Sequence, residues 1–408
     1  MSDSALPPAA IAANPGRRAF TTVFVTILLD LIGFGMILPL LPFYAQELDA
    51  TPAQIGLLFS SYSLTQLLFS PLLGRLSDRV GRRPVLLVSI CGSAAAHLMF
   101  ALAGSFWMLV LARSLAGVAA ANYSIAQAYM ADVSTSEDRS KAMGLVGAAF
   151  GIGFVLGPAL GGILARIGHQ AVPLTAAGLS AINFLIALVW LPESLPAEVR
   201  QRSQARPWTD LSGLGRVWRN VPLRGLMLLF FLVMFCFSLF EATLALYCQQ
   251  RFGFGASETS WLFVYVGVVL VVVQGGLIGR LVKRFGERRL ILSGIALMAV
   301  GLAVLPAVPS LGVLLASLLL LALGSGVHNP STLGLLSRLT DEGSQGGTIG
   351  LSRSFGALAR TLGPAAGTWI FGAAGSSWPF WTAGGLMLVA LLIAWDLLGR
   401  VAPDALIS

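Results

Sequence analysis

The chain has 408 residues, of which 56% are hydrophobic and only 11% are charged, with a mean hydropathy of +0.82 and a formal net charge of +8. Globular proteins carry about 25% charged residues, so a soluble fold of this length would expose much of its apolar surface. Composition therefore excludes the soluble classes and predicts an integral membrane protein. The three cysteines, Cys91, Cys236 and Cys248, form neither an even set nor a metal-ligand spacing, and they predict packing residues with no metal site.

Apolar runs of spanning length follow one another along the chain, six before a long polar break and six after it. They cover residues 19–41, 53–73, 85–104, 106–131, 142–165, 173–191, 222–247, 258–279, 290–308, 310–336, 346–371 and 378–399. No small-residue cleavage site follows the first run, so we interpret it as a retained helix rather than a signal peptide. The pattern predicts an all-α membrane protein with twelve transmembrane helices. Its predicted parts are a tail at 1–18, a six-helix bundle at 19–191, a linker with a surface helix at 192–221, a six-helix bundle at 222–399 and a tail at 400–408.

Two motifs each occur twice along the chain, and the two copies are separated by nearly the same number of residues in both cases. Gly74–Pro84 and Gly279–Arg289 lie 205 positions apart and share 6 of 11 residues, and G-P-A-L-G at Gly157 returns as G-P-A-A-G at Gly363, 206 positions later. A constant offset of about half the chain indicates duplication. The two bundles are therefore predicted to be pseudo-symmetric.

Lys and Arg are concentrated on one side of the predicted helices. Counted over the tails, the loops and the central stretch 192–224, 21 Lys and Arg residues lie on the side that carries both termini, and only Arg166 and Arg251 lie on the other. The positive-inside rule places the 21 in the cytoplasm. We predict both termini to be cytoplasmic, in a bacterial inner (plasma) membrane, and the net charge then needs no nucleic-acid partner.

Several motifs, in order and at the expected helices, resemble the major facilitator superfamily and its twelve-helix drug/proton antiporter branch, including tetracycline-efflux and tetran-like proteins. They are the loop Gly74–Pro84, the first-helix motif Leu29–Pro42, the fourth-helix motif Arg113–Gly117, the fifth-helix antiporter motif Gly147–Gly162, and the stretches Ala128–Ser134 and Arg353–Pro364. Tetracycline exporters of the best-known type carry ionisable residues in the eighth and ninth helices, whereas 261–279 and 290–309 contain none here. The resemblance implies alternating access between two bundles.

Charges within the spans are the leading functional candidates. A charge at the middle of a spanning helix costs roughly 2.5–3.5 kcal/mol on insertion scales, and five such residues occur: Asp30, Arg113, Glu241, Arg353 and Arg360. Asp30 is predicted near mid-bilayer and Arg113 about 10 Å deep at 1.5 Å per residue. Because the first and fourth helices of the resembled fold line its cavity, we expect these two to approach each other.

We predict that Asp30, Arg113 and Glu241 couple transport to protons, with a static Asp30–Arg113 ion pair as the alternative. Glu241 could instead contact a cationic substrate or pair with another charge. Arg353 and Arg360 are predicted to pack and form pairs at the interface between the two halves. The alternative role for Arg360 is to bind an anionic substrate.

Three helix faces predict a substrate cavity. On the fourth helix small and polar residues share the face of Arg113, on the first helix Phe34 and Ile37 share the face of Asp30, and the tenth helix has another small and polar face around His328. For His328, the alternative to a substrate contact is a hydrogen-bonded residue of the helix packing. The predicted cavity residues are Phe34, Ile37, Ser124, Gln127, His328, Ser331, Thr332 and Arg360.

Two conformational devices follow from the resemblance. The loop residues Gly74, Asp78, Arg79, Gly81, Arg82 and Arg83 are predicted to latch the outward-facing state, with Asp78 engaging a helix N-terminus or an arginine of the other half. The arginines of this loop are also predicted to keep it on the cytoplasmic side. The residues Gly147, Gly151, Gly157, Pro158 and Gly161 are predicted to allow tight packing where the halves rock.

The sequence thus predicts a proton-driven antiporter that exports small amphiphilic compounds, with the proton as coupling ion, no other cofactor and a monomeric state. The alternative substrate is an anionic metabolite or lipid-like molecule. A non-transporting receptor or scaffold is the alternative of another class, and it leaves Asp30 unexplained. An enzyme is not expected, because no catalytic triad, metal-ligand spacing or phosphate loop is present.

Overall fold

The computed structural model describes residues 15–134, 139–195, 200, 220–340 and 345–400. In the first half of the chain the helices are α1 (Pro15–Ile37), α2 (Leu41–Gln46), α3 (Pro52–Val80), α4 (Arg82–Ala101), α5 (Phe106–Ala119), α6 (Asn122–Asp132), α7 (Arg139–Leu164) and α8 (Ala171–Trp190). In the second half they are α9 (Val221–Phe252), α10 (Ala256–Val271), α11 (Ile278–Val304), α12 (Leu311–Arg338), α13 (Gln345–Ala374) and α14 (Trp378–Arg400).

Ten helical segments of the described chain are long and apolar enough to cross a membrane. One of them, Ala256–Ala307, has 52 residues and bends at Gly286, where φ is +75°, so it is long enough to cross twice. The 30-residue helix α13 also has spanning length. Ten to twelve crossings agree with the predicted all-helical membrane protein.

Local sequence accounts for the helix boundaries. The side chains of Thr51 and Gln54 form a capping box that begins α3, and Ser105 accepts the N–H of Met108 at the start of α5. Gly81 adopts a φ of +122° between α3 and α4, a conformation that glycine reaches without steric cost. A tight reversal therefore separates these two spans.

Three predicted spans are continuous in sequence but interrupted in the structure. Prolines 39 and 42 accompany a 3₁₀ turn at Leu38–Leu40 that divides the first span into α1 and α2. The fourth span is divided between Ala119 and Asn122, and the eighth ends in a π-helical turn at Val272–Leu277. Apolar periodicity does not register such breaks, because the side chains remain hydrophobic across them.

The reversal at Gly81 and the bend at Gly286 lie at one end of the bundle, which we name the basic face; the other end is the opposite face. The two halves contact each other along two seams, α3 with α13 and α7 with α10. Near the opposite face these seams are tight: Ser60 Oγ donates to the carbonyl of Thr361 at 2.6 Å, and a Cβ at Gly267 would lie 2.8 Å from the carbonyl oxygen of Phe154.

The seams are open toward the basic face. On α7, Gly151 packs against Val271, but one turn further a Cβ added at Gly147 would have no atom within 4 Å, and the same holds for Gly275 and Gly276 beyond Val271. Gly74, Gly347 and Gly350 on the other seam are equally open. Along these two seams the halves therefore meet most closely near the opposite face and lie farther apart near the basic face.

The predicted domain boundaries stay a prediction. The surface helix within 192–221 falls largely outside the described residues, which in this stretch are 192–195, 200, 220 and 221. The tails at 1–14 and 401–408 also lie outside them.

Candidate functional site: a charged cluster between the halves

Asp30 lies midway along the first span and is held by two amides. Asn122 on α6 donates a short hydrogen bond to Oδ2 of Asp30, and Asn183 on α8 donates to Oδ1 at 3.5 Å and to the carbonyl of Thr26 at 3.2 Å. Asn122 is 5% exposed and Asn183 is fully buried. The acid is therefore stabilised by neutral donors.

Arg113 is not paired with Asp30. Its guanidinium carbon lies 4.4 Å from the ring centroid of Tyr62 and 5.9 Å from that of Phe34, and those two rings are 5.1 Å apart. None of the ion pairs among the described residues involves Asp30 or Arg113, although Arg113 is only 3% exposed. The expected approach of the two fails because Asn122, more than two turns beyond Arg113 on the same span, occupies the position beside Asp30.

A second group of charges comes from the other half. Arg360 lies midway along α13 with an exposed side chain, and it interacts electrostatically with Glu241 on α9 and with Tyr62 on α3. Tyr62 in turn interacts with Arg113 and Asp30. The phenol thus connects the charged residues of the two halves.

One hydrogen bond crosses between the halves nearer the basic face. Arg353 on α13 donates a short hydrogen bond to Oε1 of Gln127 on α6, and Tyr123 lies within electrostatic range of the same guanidinium. The Ser124 hydroxyl donates to the carbonyl of Ala121 at 2.8 Å. The contact made by Arg353 agrees with the predicted pairing between the halves.

Four predicted cavity residues lie away from this cluster. Ile37 is 1% exposed in the main hydrophobic core. His328, Ser331 and Thr332 are buried on α12, and the Cβ of His328 packs against Gly294 of α11. The His328 Nε2 and Thr332 Oγ1 atoms are 3.4 Å apart, so this histidine has the packing environment of the alternative interpretation.

The basic-face turn of the first half is an ion-pair network. Arg82 pairs with Asp78 at 2.5 Å and with Asp132 at the end of α6 at 3.1 Å. Glu193 accepts the backbone N–H groups of Arg82 and Arg83 at 2.8 and 3.2 Å, where α4 begins, and a carboxylate is favoured at a helix N-terminus.

Among the described residues, Asp78 pairs with Arg82 and engages neither a helix N-terminus nor the other half, and Glu193 occupies the N-terminus of α4. The predicted latch concerns a state with the basic face closed, whereas the halves meet here at the opposite face. Among the remaining latch residues, Gly74 faces open space, Arg79 is half-buried on the last turn of α3, and Arg83 donates to the carbonyl of Leu188 at 2.9 Å. The latch stays a prediction.

The equivalent turn of the second half carries the reversed charge pattern. Glu287 occupies the repeat position of Arg82, and Arg338, at the end of α12, occupies that of Asp132. Glu287 is 4% exposed, and its Oε1 lies 3.6 Å from Arg338 Nε. The same ion-pair contact thus occurs in both halves, with the positions of the acid and the arginine exchanged.

The antiporter-motif glycines pack chiefly against α1. Added Cβ atoms would lie 2.7 Å from Gly35 Cα at Gly157 and 2.6 Å from the Met36 carbonyl oxygen at Gly161, and Pro158 lies against Gly35. Only glycine permits such backbone approach. Gly151 instead faces Val271 on the other half, so the motif serves both the bundle and the seam.

On the opposite face two further hydrogen bonds join the halves. Gln46 donates to Gln249 at 2.9 Å, and Arg166 Nε donates to Ser257 Oγ at 3.0 Å. The Arg166–Ser257 bond lies at the end of the α7–α10 seam, and the Gln46–Gln249 bond joins α2 to α9.

The sequence interpretation missed Tyr62, Asn122, Asn183 and Glu193. The two asparagines carried a usable signal, since an unpaired buried amide is costly in an apolar medium just as a charge is. Glu193 lies 111 residues from Arg82, and neither periodicity nor spacing connects them.

A membrane-crossing helical bundle with ionisable residues facing one another between two halves is the architecture of a membrane transport protein. The chain belongs to the Major Facilitator Superfamily, whose family model matches residues 23–280 and 257–406. Members of this family are transporters rather than enzymes, and the chain is an integral membrane transporter for a small-molecule substrate.

Relatives cover nearly the whole chain. The class C tetracycline resistance protein of Escherichia coli is 31% identical over 383 residues, which are 93% of this chain and 96% of the relative. The crystal structure of the human organic anion transporter MFSD10 (TETRAN) is 31% identical with a TM-score of 0.71, covering 93% of this chain and 100% of that one. The crystal structure of the nucleoside transporter NupG, at 14% identity and a TM-score of 0.77 over 93% of this chain and 99% of that one, shows the fold alone. The predicted fold and relationship are confirmed.

Proposed function

We propose that the chain is a proton-coupled antiporter that exports small amphiphilic compounds by alternating access. The observation that carries the proposal is the environment of Asp30: a carboxyl group at mid-depth, bound by two neutral amides and by no cation among the described residues. Because burial penalises a charged carboxylate whereas water stabilises it, the protonation of such an acid responds to hydration. Opening the site to one face or the other would change that hydration.

The two seams supply the movement. Contacts near the opposite face include Gln46–Gln249 and Arg166–Ser257, while glycine faces stand apart near the basic face. If the glycine faces came together while the contacts near the opposite face separated, Asp30 and Arg360 would become accessible from one side of the membrane and then from the other. The relatives named as tetracycline resistance proteins support export as the direction. The excess of Lys and Arg on the basic face supports a cytoplasmic location for it.

Charge in the central cluster favours an anionic substrate as the second candidate. Arg113 and Arg360 have no acid within ion-pair distance among the described residues, and Glu241 interacts with Arg360 only at longer range. The rings of Phe34 and Tyr62 beside Arg113 would suit an aromatic group on the same molecule. MFSD10, named an organic anion transporter, supports this candidate.

The test compares Asp30→Asn with wild type in pump-deficient cells and in proteoliposomes with an imposed pH gradient. Export of tetracycline, a cationic dye and an aromatic carboxylate is followed with and without a protonophore. Asp396→Asn is the matched control, because Asp396 is an exposed acid at the end of α14 that pairs with Arg400. We expect Asp30→Asn to abolish gradient-driven export and Asp396→Asn to retain it. Export by Asp30→Asn at the wild-type rate would disprove the proton role, and the compound that moves decides between the two substrate classes.

A further inference from the structure

The bend between α10 and α11 carries a dense positive patch. Within ten residues it has five cations, Arg280, Lys283, Arg284, Arg288 and Arg289, which we name the basic patch, and a single acid, Glu287. Four of the cations are exposed; Arg288 is half-buried beside Gly399. The patch lies directly at the membrane-surface end of two spans.

The five cations of the basic patch have no ion-pair partner in the part of the chain that the structure describes. Glu287 is buried and directed to Arg338. Unpaired cations at one site repel one another, so an anionic partner would lower their energy.

The equivalent turn of the first half shows that topology alone does not require this arrangement. There Asp78 and Asp132 form ion pairs with the Arg82 side chain, and Glu193 accepts the backbone N–H groups of Arg82 and Arg83. In the repeat, Asp78 is replaced by Lys283. The positive-inside rule counts Lys and Arg and gives acids little weight, so it explains the cations of both turns but not the loss of acids from one.

Apolar surface adjoins the basic patch on the membrane side. Val272 and Leu277, on the π-helical turn that precedes the patch, are 53% and 40% exposed. At the bend itself Phe285 is 42% exposed, and the Arg284 guanidinium lies 5.4 Å from its ring centroid. Positive charge next to exposed apolar residues at a membrane boundary matches the two parts of a phospholipid.

We propose that the basic patch is a docking site for an anionic phospholipid. The phosphate contacts Arg280, Lys283 and Arg284, which have the hydrogen-bond donors for it. An acyl chain lies along Val272 and Leu277. The lipid is thereby bound beside the seam that α10 forms with α7.

The test reconstitutes the purified full chain in nanodiscs of phosphatidylcholine with or without phosphatidylglycerol and measures retained lipid by native mass spectrometry. Lys283→Gln is compared with Arg400→Gln, which removes one cation from the same face but one already paired with Asp396. A juxtamembrane cation contributes about a fivefold change in anionic-lipid affinity. We expect a loss of that size for Lys283→Gln, less than about twofold for Arg400→Gln, and on the order of 100-fold for Arg280→Gln/Lys283→Gln/Arg284→Gln.

Three outcomes would overturn the proposal: equal losses for Lys283→Gln and Arg400→Gln, equal retention of phosphatidylcholine and phosphatidylglycerol, or displacement of the lipid by inorganic phosphate at matched ionic strength, which would indicate a site for the free anion. The single variants decide the matter if the triple variant does not fold.

Discussion

Arg113 is a buried cation whose described neighbours are aromatic rings rather than acids. A guanidinium within about 6 Å of an aromatic centroid gains roughly 0.5–2 kcal/mol, more when it is desolvated. The face of Tyr62 meets this criterion at 4.4 Å, and Phe34 lies at 5.9 Å. Tyr62 therefore stabilises the cation and at the same time belongs to the helix, α3, that meets the other half at the seam.

We predict that Tyr62→Leu lowers export by about 2- to 30-fold, the factor equivalent to the loss of a cation–π contact. Tyr62→Phe retains the ring and should stay within about twofold of wild type. Initial export rates at matched expression measure both. A loss for Tyr62→Phe as large as for Tyr62→Leu would assign the role to the hydroxyl group, through its interaction with Arg360, and contradict the prediction.

At the scale of helices, α7 and α10 are in contact along only part of their length. Gly151 meets Val271, whereas Gly147, Gly275 and Gly276 face open space one turn closer to the basic face. Small residues permit close helix approach, but no neighbouring helix of the described chain lies against these three glycines in this arrangement. Closure of the basic face would bring α7 and α10 together at these glycines.

We predict that Gly147→Leu leaves thermal stability unchanged but reduces export by about tenfold or more, because the added side chain is accommodated here and obstructs the closed seam. Gly178→Leu, on α8, is the matched control, since Gly178 is also exposed with nothing within 4 Å of a Cβ. Melting temperature and export are measured for both. Normal export by Gly147→Leu would show that this glycine face does not close during transport.

At the scale of the whole molecule, the sequence predicted the spans and the depths of Asp30 and Arg113 but not the contacts among the charged residues. Hydropathy locates helices, and residue counting places Asp30 at mid-depth. Neither gives the rotation of one helix relative to its neighbours. Helical spacing placed Ile37 on the face of Asp30, yet Ile37 is buried in the core. The partners of Asp30, Asn122 and Asn183, come from two other spans, so only tertiary packing brings them together.

The repeat explains a further feature that neither half shows alone. Arg82–Asp132 and Glu287–Arg338 occupy equivalent positions with exchanged charges. Each fixes the start of one span to the end of another at the basic face. If each ion pair acts only by connecting the two spans, the connection should be equally stable whichever span carries the acid.

We therefore predict that Glu287→Arg lowers the free energy of unfolding by about 1–3 kcal/mol, since it leaves Arg338 facing a like charge; the low end of this range reflects the partial exposure of Arg338. The double variant Glu287→Arg/Arg338→Glu gives the second half the polarity of the first, and it should recover most of the stability and export lost by the single variant. Denaturant unfolding in detergent and export rates in proteoliposomes measure the recovery. Failure of the double variant, with both single variants equally impaired, would mean that the surroundings of Glu287, including Gly334 against its carboxylate, select the polarity as well as the pair.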